Sequence, residues 1–188
     1  MKKRLIMALI FILAIGGFTL YKIYNDNVIH QSKSIASAVM FESIDDLANS
    51  SDLVIKGIIS EGFTELDRQL TDKLTTEHIY KFIVTEVVTN NSSDEIIIGD
   101  ELTISRSISF KQGSSTYNLL EGSSENLETG NYLLFLNQNP LDKTQYTIVS
   151  PNHLYKEMRK SKYRNLIGGT AINEIGESEI SNLKELTR

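Results

Sequence analysis

The chain has 188 residues, of which 40% are hydrophobic and 23% charged, with no cysteine. That length accommodates one domain plus an appendage, and that composition supports a buried core rather than wholesale disorder. The lack of cysteine excludes disulfides, thiolate chemistry and Cys-ligated zinc, and a net charge of −5 argues against nucleic-acid binding, because an acidic surface repels phosphate backbones.

The first element in chain order is a membrane segment. Leu5 to Tyr21 is an uncharged run of 17 residues, preceded by Lys2, Lys3 and Arg4 and closed by Lys22. As a helix at ~1.5 Å per residue it reaches about 25 Å, close to the ~30 Å hydrocarbon layer, with Arg4 and Lys22 able to snorkel and Tyr21 and Tyr24 suited to the interface. The cations in front predict an N-inside, C-outside orientation. A cleavable signal peptide is the rival reading, because Ala36-Ser37-Ala38 has the small residues of a cleavage site, but that triplet lies well beyond the apolar run. No cysteine follows for lipoprotein processing, and Gly16-Gly17 is a tolerated pair without the small-xxx-small spacing of a helix dimer. Setting aside Lys2, Lys3 and Arg4, sixteen Lys and Arg face 24 Asp and Glu, a net of −8 for the remainder. The organisation expected is an anchor over residues 1–24, a polar stalk over 25–40, and an extracytoplasmic domain over 41–188.

Within that domain, Ser43-Ile44-Asp45-Asp46 has the pattern of a helix start, with a serine oxygen to accept an early N–H, and predicts a short helix from Ile44 to Asn49. Leu53 to Ile59 is dense in β-branched residues and predicts the first strand. A polar stretch follows up to Thr76. Ile79 to Val88 carries apolar residues at both parities, the pattern of a long central strand. Gly99-Asp100, between Ile96–Ile98 and Leu102–Ile104, reads as a loop feeding a strand in preference to a hairpin turn. Ser107 to Gly130, rich in Ser, Gly and Asn, is expected to be mobile with one short strand. Tyr132 to Leu136 predicts a buried strand, with Gln145 to Val149 pairing to it across the Asn139–Asp142 turn. Tyr155 to Leu166 reads as a helix, and Ser178 to Leu186 as another, with Ile180, Leu183 and Leu186 in one stripe. No internal repeat is visible. The expected fold class is mainly β, a small antiparallel barrel or sandwich, with the N-terminal transmembrane helix and short C-terminal helices.

The order of "SIDDLANSSDLVIKGIIS", "KFIVTEVV", "GDELTIS", "ETGNYLLFLN" and "YTIVSP" resembles a group of uncharacterised membrane-anchored or secreted bacterial domains. The resemblance covers Phe41 to Pro151 and implies a small barrel reminiscent of the OB-fold. It carries no catalytic signature.

Residues with chemistry are sparse. His30, His78 and His153 show no metal-ligand spacing. There is no Gly-x-Ser-x-Gly elbow, and Ser32-Lys33 and Ser161-Lys162 are neighbours whose side chains diverge. The acidic pairs Asp45-Asp46, Asp94-Glu95 and Asp100-Glu101 lack the spacing of a calcium loop, and Gly168-Gly169 lacks the residues of a phosphate loop. No catalytic residue, metal or cofactor is therefore assigned. One cluster stands out against the acidic background: Lys156, Arg159, Lys160, Lys162 and Arg164, flanked by Tyr155 and Tyr163 and opposed by Glu157. It suits anionic wall polymer, lipid headgroups or an acidic face of another envelope protein. The function expected is a tethered binding or interaction module of the cell envelope. The alternatives are an envelope hydrolase acting on wall or peptide substrate, and an inhibitor or immunity-type protective protein.

Overall fold

A computed structural model describes residues 41–70, 72–119, 126–166 and 171–186. The apolar segment at residues 5–21 and the stalk lie outside them. Among the described residues no helix is long and apolar enough to cross a membrane.

The domain opens with helix α1 (Ile44–Asn49), started as its sequence requires: the Ser43 hydroxyl oxygen accepts the Asp46 N–H at 3.1 Å and donates to the Asp46 carboxylate at 2.7 Å. Strands follow as β1 (Leu53–Ile59), β2 (Thr64–Leu70), β3 (Lys73–Asn90), β4 (Glu101–Gln112), β5 (Ser115–Asn118), β6 (Gly130–Gln138), β7 (Gln145–Thr147), β8 (Leu154–Arg159), β9 (Lys162–Asn165) and β10 (Glu174–Gly176). Helix α2 (Glu177–Leu186) closes the described chain.

The strands form one mixed sheet, and five of them pair in a closed circuit: β1 with β3, β3 with β4, β4 with β7, β7 with β6, and β6 back to β1. The expected all-antiparallel arrangement is thereby corrected. A circuit of five strands cannot alternate direction all the way round, so one junction must be parallel. That junction is β4–β7, pairing Thr103 with Gln145, Ile104 with Tyr146 and Ser105 with Thr147.

Period-two alternation sorts the apolar side chains into two clusters. The first, to which every strand of the circuit contributes, holds Leu53, Ile55 and Ile59 of β1 with Tyr80, Phe82, Ile104, Tyr132, Leu134, Leu136 and Tyr146, and is the inner side. The second lies behind β1 and β6 and is covered by α1 and the C-terminal elements: Val54, Leu133 and Phe135 meet Leu47 of α1, Tyr155, Tyr163, Ile175, and Ile180 and Leu183 of α2. At Gly57 the inner side leaves no room, since a Cβ there would stand 2.3 Å from the Ile83 carbonyl oxygen and 2.3 Å from the Phe82 ring.

Three expectations are corrected. Tyr155 to Leu166 is not a helix; it is the antiparallel hairpin β8–β9, in which Tyr155 faces Asn165 and Lys156 faces Arg164. Its Lys, Arg, Glu and Met residues favour a helix locally, but β6 offers an edge to β8 at Leu133 and Leu134, and burial of Leu154, Tyr155 and Tyr163 outweighs propensity. The polar stretch before Thr76 holds β2 and the start of β3, a ribbon whose edge strand meets water and requires no apolar run. The serine-rich region after Ser107 is shorter than its composition implied, because β4 runs on to Gln112 and turns at Gly113 (φ 60°) into β5. Residues 120–125 lie outside the described residues.

Candidate interaction site

The five cations singled out in the sequence come together on the β8–β9 hairpin, but they divide into two kinds. Lys156 and Arg164, cross-strand neighbours, are occupied: Lys156 donates to Glu128, and Arg164 donates to Glu174 at 2.7 Å. Arg159, Lys160 and Lys162 lie at the tip, exposed, and among the described residues none has a carboxylate within ion-pair distance. Glu157, the hairpin's own acid, is turned back: its carboxylate accepts the Ser161 N–H at 2.9 Å and the Asn131 amide at 2.7 Å. The register slips between Glu157 and Arg159, a bulge at Met158, whose side chain is 54% exposed. Ser161 takes a left-handed φ of 60° in the turn, so the tip is a tight two-residue connection. On the opposite face Tyr155 and Tyr163 are buried, fixing the hairpin to the second cluster.

Two buried ionic clusters were not legible as such. On the inner side Arg106, 2% exposed, sits opposite His78 in the β3–β4 register. Burial holds its guanidinium below the ordinary pKa, while the Tyr80 and Tyr132 hydroxyls act the other way. Both tyrosines pin the segment leading into β6: the Tyr80 oxygen accepts the Leu127 N–H at 3.1 Å, and the Tyr132 hydroxyl donates to the Glu128 carbonyl at 2.6 Å. Burial, with Glu128 and Tyr80 nearby, pushes the Tyr132 hydroxyl up to about 12, so it remains a donor at neutral pH. His78 stacks on Phe63 with ring centroids 3.7 Å apart. So little exposed, Arg106 is a post inside the domain rather than a ligand-facing group. The sequence signal for it was a cation at the inward parity of β4, in step with Leu102 and Ile104.

Behind β1, Lys56, 7% exposed, lies 2.9 Å from the Glu86 carboxylate and 3.0 Å from that of Glu177, with the Tyr163 ring centroid 5.8 Å away. Glu86 also pairs with Lys184 of α2. Burial works against the charge of Lys56, but hydrogen bonds to Glu86 and Glu177 outweigh it and leave its pKa raised; burial likewise opposes the Glu86 charge, and Lys184 and Lys56 overcome it, leaving that pKa lowered. The network fastens α2 to the sheet.

The histidines stay apart in the fold: His78 is on β3, while His153 is buried before β8, its Nδ1 accepting the Val149 N–H at 3.4 Å and its ring stacked 6.0 Å from Phe41. Burial lowers its pKa to about 4, so it is neutral. His30 lies outside the described residues. The acidic pairs form no metal nest: among the described residues, no group of three or more His, Asp and Glu side chains is placed to hold a metal ion. Asp94 instead accepts the Tyr146 hydroxyl at 2.9 Å, a bond that ties the loop after β3 to β7.

No family model, no curated protein and no solved structure matches the chain, so the site's chemistry rests on its own geometry.

Proposed function

We propose that the protein is a membrane-tethered binding module of the cell envelope, with its domain on the extracytoplasmic side, engaging an anionic partner through the β8–β9 hairpin. The single observation that supports this most strongly is the exposed trio Arg159, Lys160 and Lys162, without a carboxylate at ion-pair distance among the described residues, on a domain that is otherwise acidic. The tether reading rests on the uncharged run from Leu5 to Tyr21 and its cationic flank. The carrier is read as a small OB-like barrel, supported by the closed five-strand circuit with one parallel junction. Architectures of that kind serve varied functions, so the hairpin rather than the fold carries the proposal.

The test uses the full chain in detergent, immobilised and incubated with cell-wall polymer, envelope proteins and lipid fractions. Enrichment of anionic components over a control membrane protein is expected, together with its loss in the triple variant Arg159→Gln, Lys160→Gln, Lys162→Gln. Equal recovery by the variant would remove the hairpin from the function.

A further inference from the structure

We infer that the tip of the β8–β9 hairpin docks onto the anionic headgroups of the same bilayer that holds the chain's N-terminal segment; this rests on the tether reading above. The charge arrangement at the tip is selective. Lys156 and Arg164, at the base, are neutralised by Glu128 and Glu174, and Glu157 is held by the turn, which leaves Arg159, Lys160 and Lys162 as a cationic point. Glu174 also feels Lys162 and Arg159, but its oxygen is engaged by Arg164. The domain as a whole is acidic, so a negatively charged bilayer favours an approach led by this cluster of three exposed cations.

Met158 decides between lipid and soluble polymer. The bulge turns a flexible apolar side chain outward beside three cations. A polyanion in solution gains from the cations and nothing from the methionine. A membrane interface takes both, with charge at the headgroup level and the thioether at the acyl boundary.

The reach is sufficient. The chain enters the domain at Phe41, stacked on His153 immediately before β8, and the tip lies six residues further along that strand, roughly 20 Å at ~3.3 Å per residue. From Lys22 to Phe41 the chain can extend to at most roughly 60 Å, so the anchor permits the tip to face the bilayer. At about fivefold per cation near an anionic surface, three cations favour the docked orientation about 100-fold over its occupancy at a neutral one.

The lack of native cysteine allows a single-site probe. The full chain carrying Ser161→Cys, labelled with an environment-sensitive fluorophore, is placed in nanodiscs of phosphatidylcholine alone or mixed with phosphatidylglycerol. A blue-shifted, brighter emission only in the anionic discs is expected, weakened by salt, abolished by Arg159→Gln/Lys160→Gln/Lys162→Gln and diminished by Met158→Ser. The same spectrum in both discs overturns the docking, as does a shift produced in neutral discs by soluble polyglycerol phosphate, which would name wall polymer as the occupant. Retention after alkaline carbonate separates the two levels of failure: a retained chain with a composition-blind probe loses only the docking, whereas an extracted chain loses the tether reading and the docking with it.

Discussion

Strand β1 has two sides that are held by different physics. Its inner residues Leu53, Ile55 and Ile59 meet neighbours from strands that close on one another, and what matters there is shape: Gly57 is a glycine because the Phe82 ring and the Ile83 carbonyl occupy the space of a side chain. Its outer residues Val54 and Lys56 are covered by α1 and, for the most part, by elements more than 100 positions later in the chain, and what matters there is fastening, through Glu86, Glu177 and Lys184. A closed circuit specifies its own contents, whereas a cover supplied from the chain's far end has to be tied down.

Four perturbations sharpen the contrast. The largest effect is expected inside: Gly57→Ala forces a Cβ against backbone and should cost about 3 kcal/mol, read as a lowered urea midpoint with all probes moving together. A loss confined to α2 would contradict the division. Next is acid titration at the outer side. The folded pKa of His153 lies about 4 against 6.5 for the free group, so its contribution is complete above pH 6.5 and is lost as pH falls towards 4, by roughly 3 kcal/mol at most. In His153→Gln the stability-against-pH curve should flatten over that window, and an unchanged slope would assign the acid sensitivity elsewhere. Third, Leu183→Ala removes a buried side chain from the cover and should cost about 2 kcal/mol, with hydrogen exchange quickening in α2 before the circuit strands. The smallest effect belongs to the fastening itself. Glu86→Gln should cost about 1 kcal/mol at neutral pH. Because the Glu86 pKa is lowered in the folded protein, its contribution is present above pH 4.5 and lost as pH falls through the folded value, so wild type and variant should converge in acid.

The inner side was also the more legible. Leu53–Ile59, Ile79–Val88 and Tyr132–Leu136 announce themselves as runs of β-branched and aromatic residues because the first and last are buried on two faces and the middle one is buried on one face and half-buried at Ile79, Ile83 and Val87 on the other. α1 was readable from the Ser43 cap, and the Ile180–Leu183 spacing marked α2. The failures share a cause. β2, with Thr64, Glu65, Asp67 and Arg68, is an edge strand that needs backbone pairing rather than apolar side chains, and β8–β9 is a strand pair whose exposed residues favour helix while its buried ones alternate. Tyr163, Arg164 and Asn165 do alternate in burial, but three residues are too few to outweigh the helical neighbours around them. The basic cluster itself was visible; its division into an ion-paired base and a tip without a carboxylate at ion-pair distance among the described residues depended on Glu128 and Glu174, which no local pattern relates to it.

An odd number of strands leaves a seam. Two of the junctions, β1–β3 and β3–β4, extend over seven and eleven facing residues, whereas β7 meets β4 over three, lengthened by one bond from the Ile148 N–H to the Ser105 carbonyl, and meets β6 over two. Thermal breathing should therefore unzip at β7 first, opening the circuit of strands without disturbing its longer joints. Amides of Thr147 and Ile148 would then exchange with solvent well ahead of those in β1, and a cross-link between Thr103 and Gln145 would slow the whole molecule's opening more than one placed along β1–β3 or β3–β4.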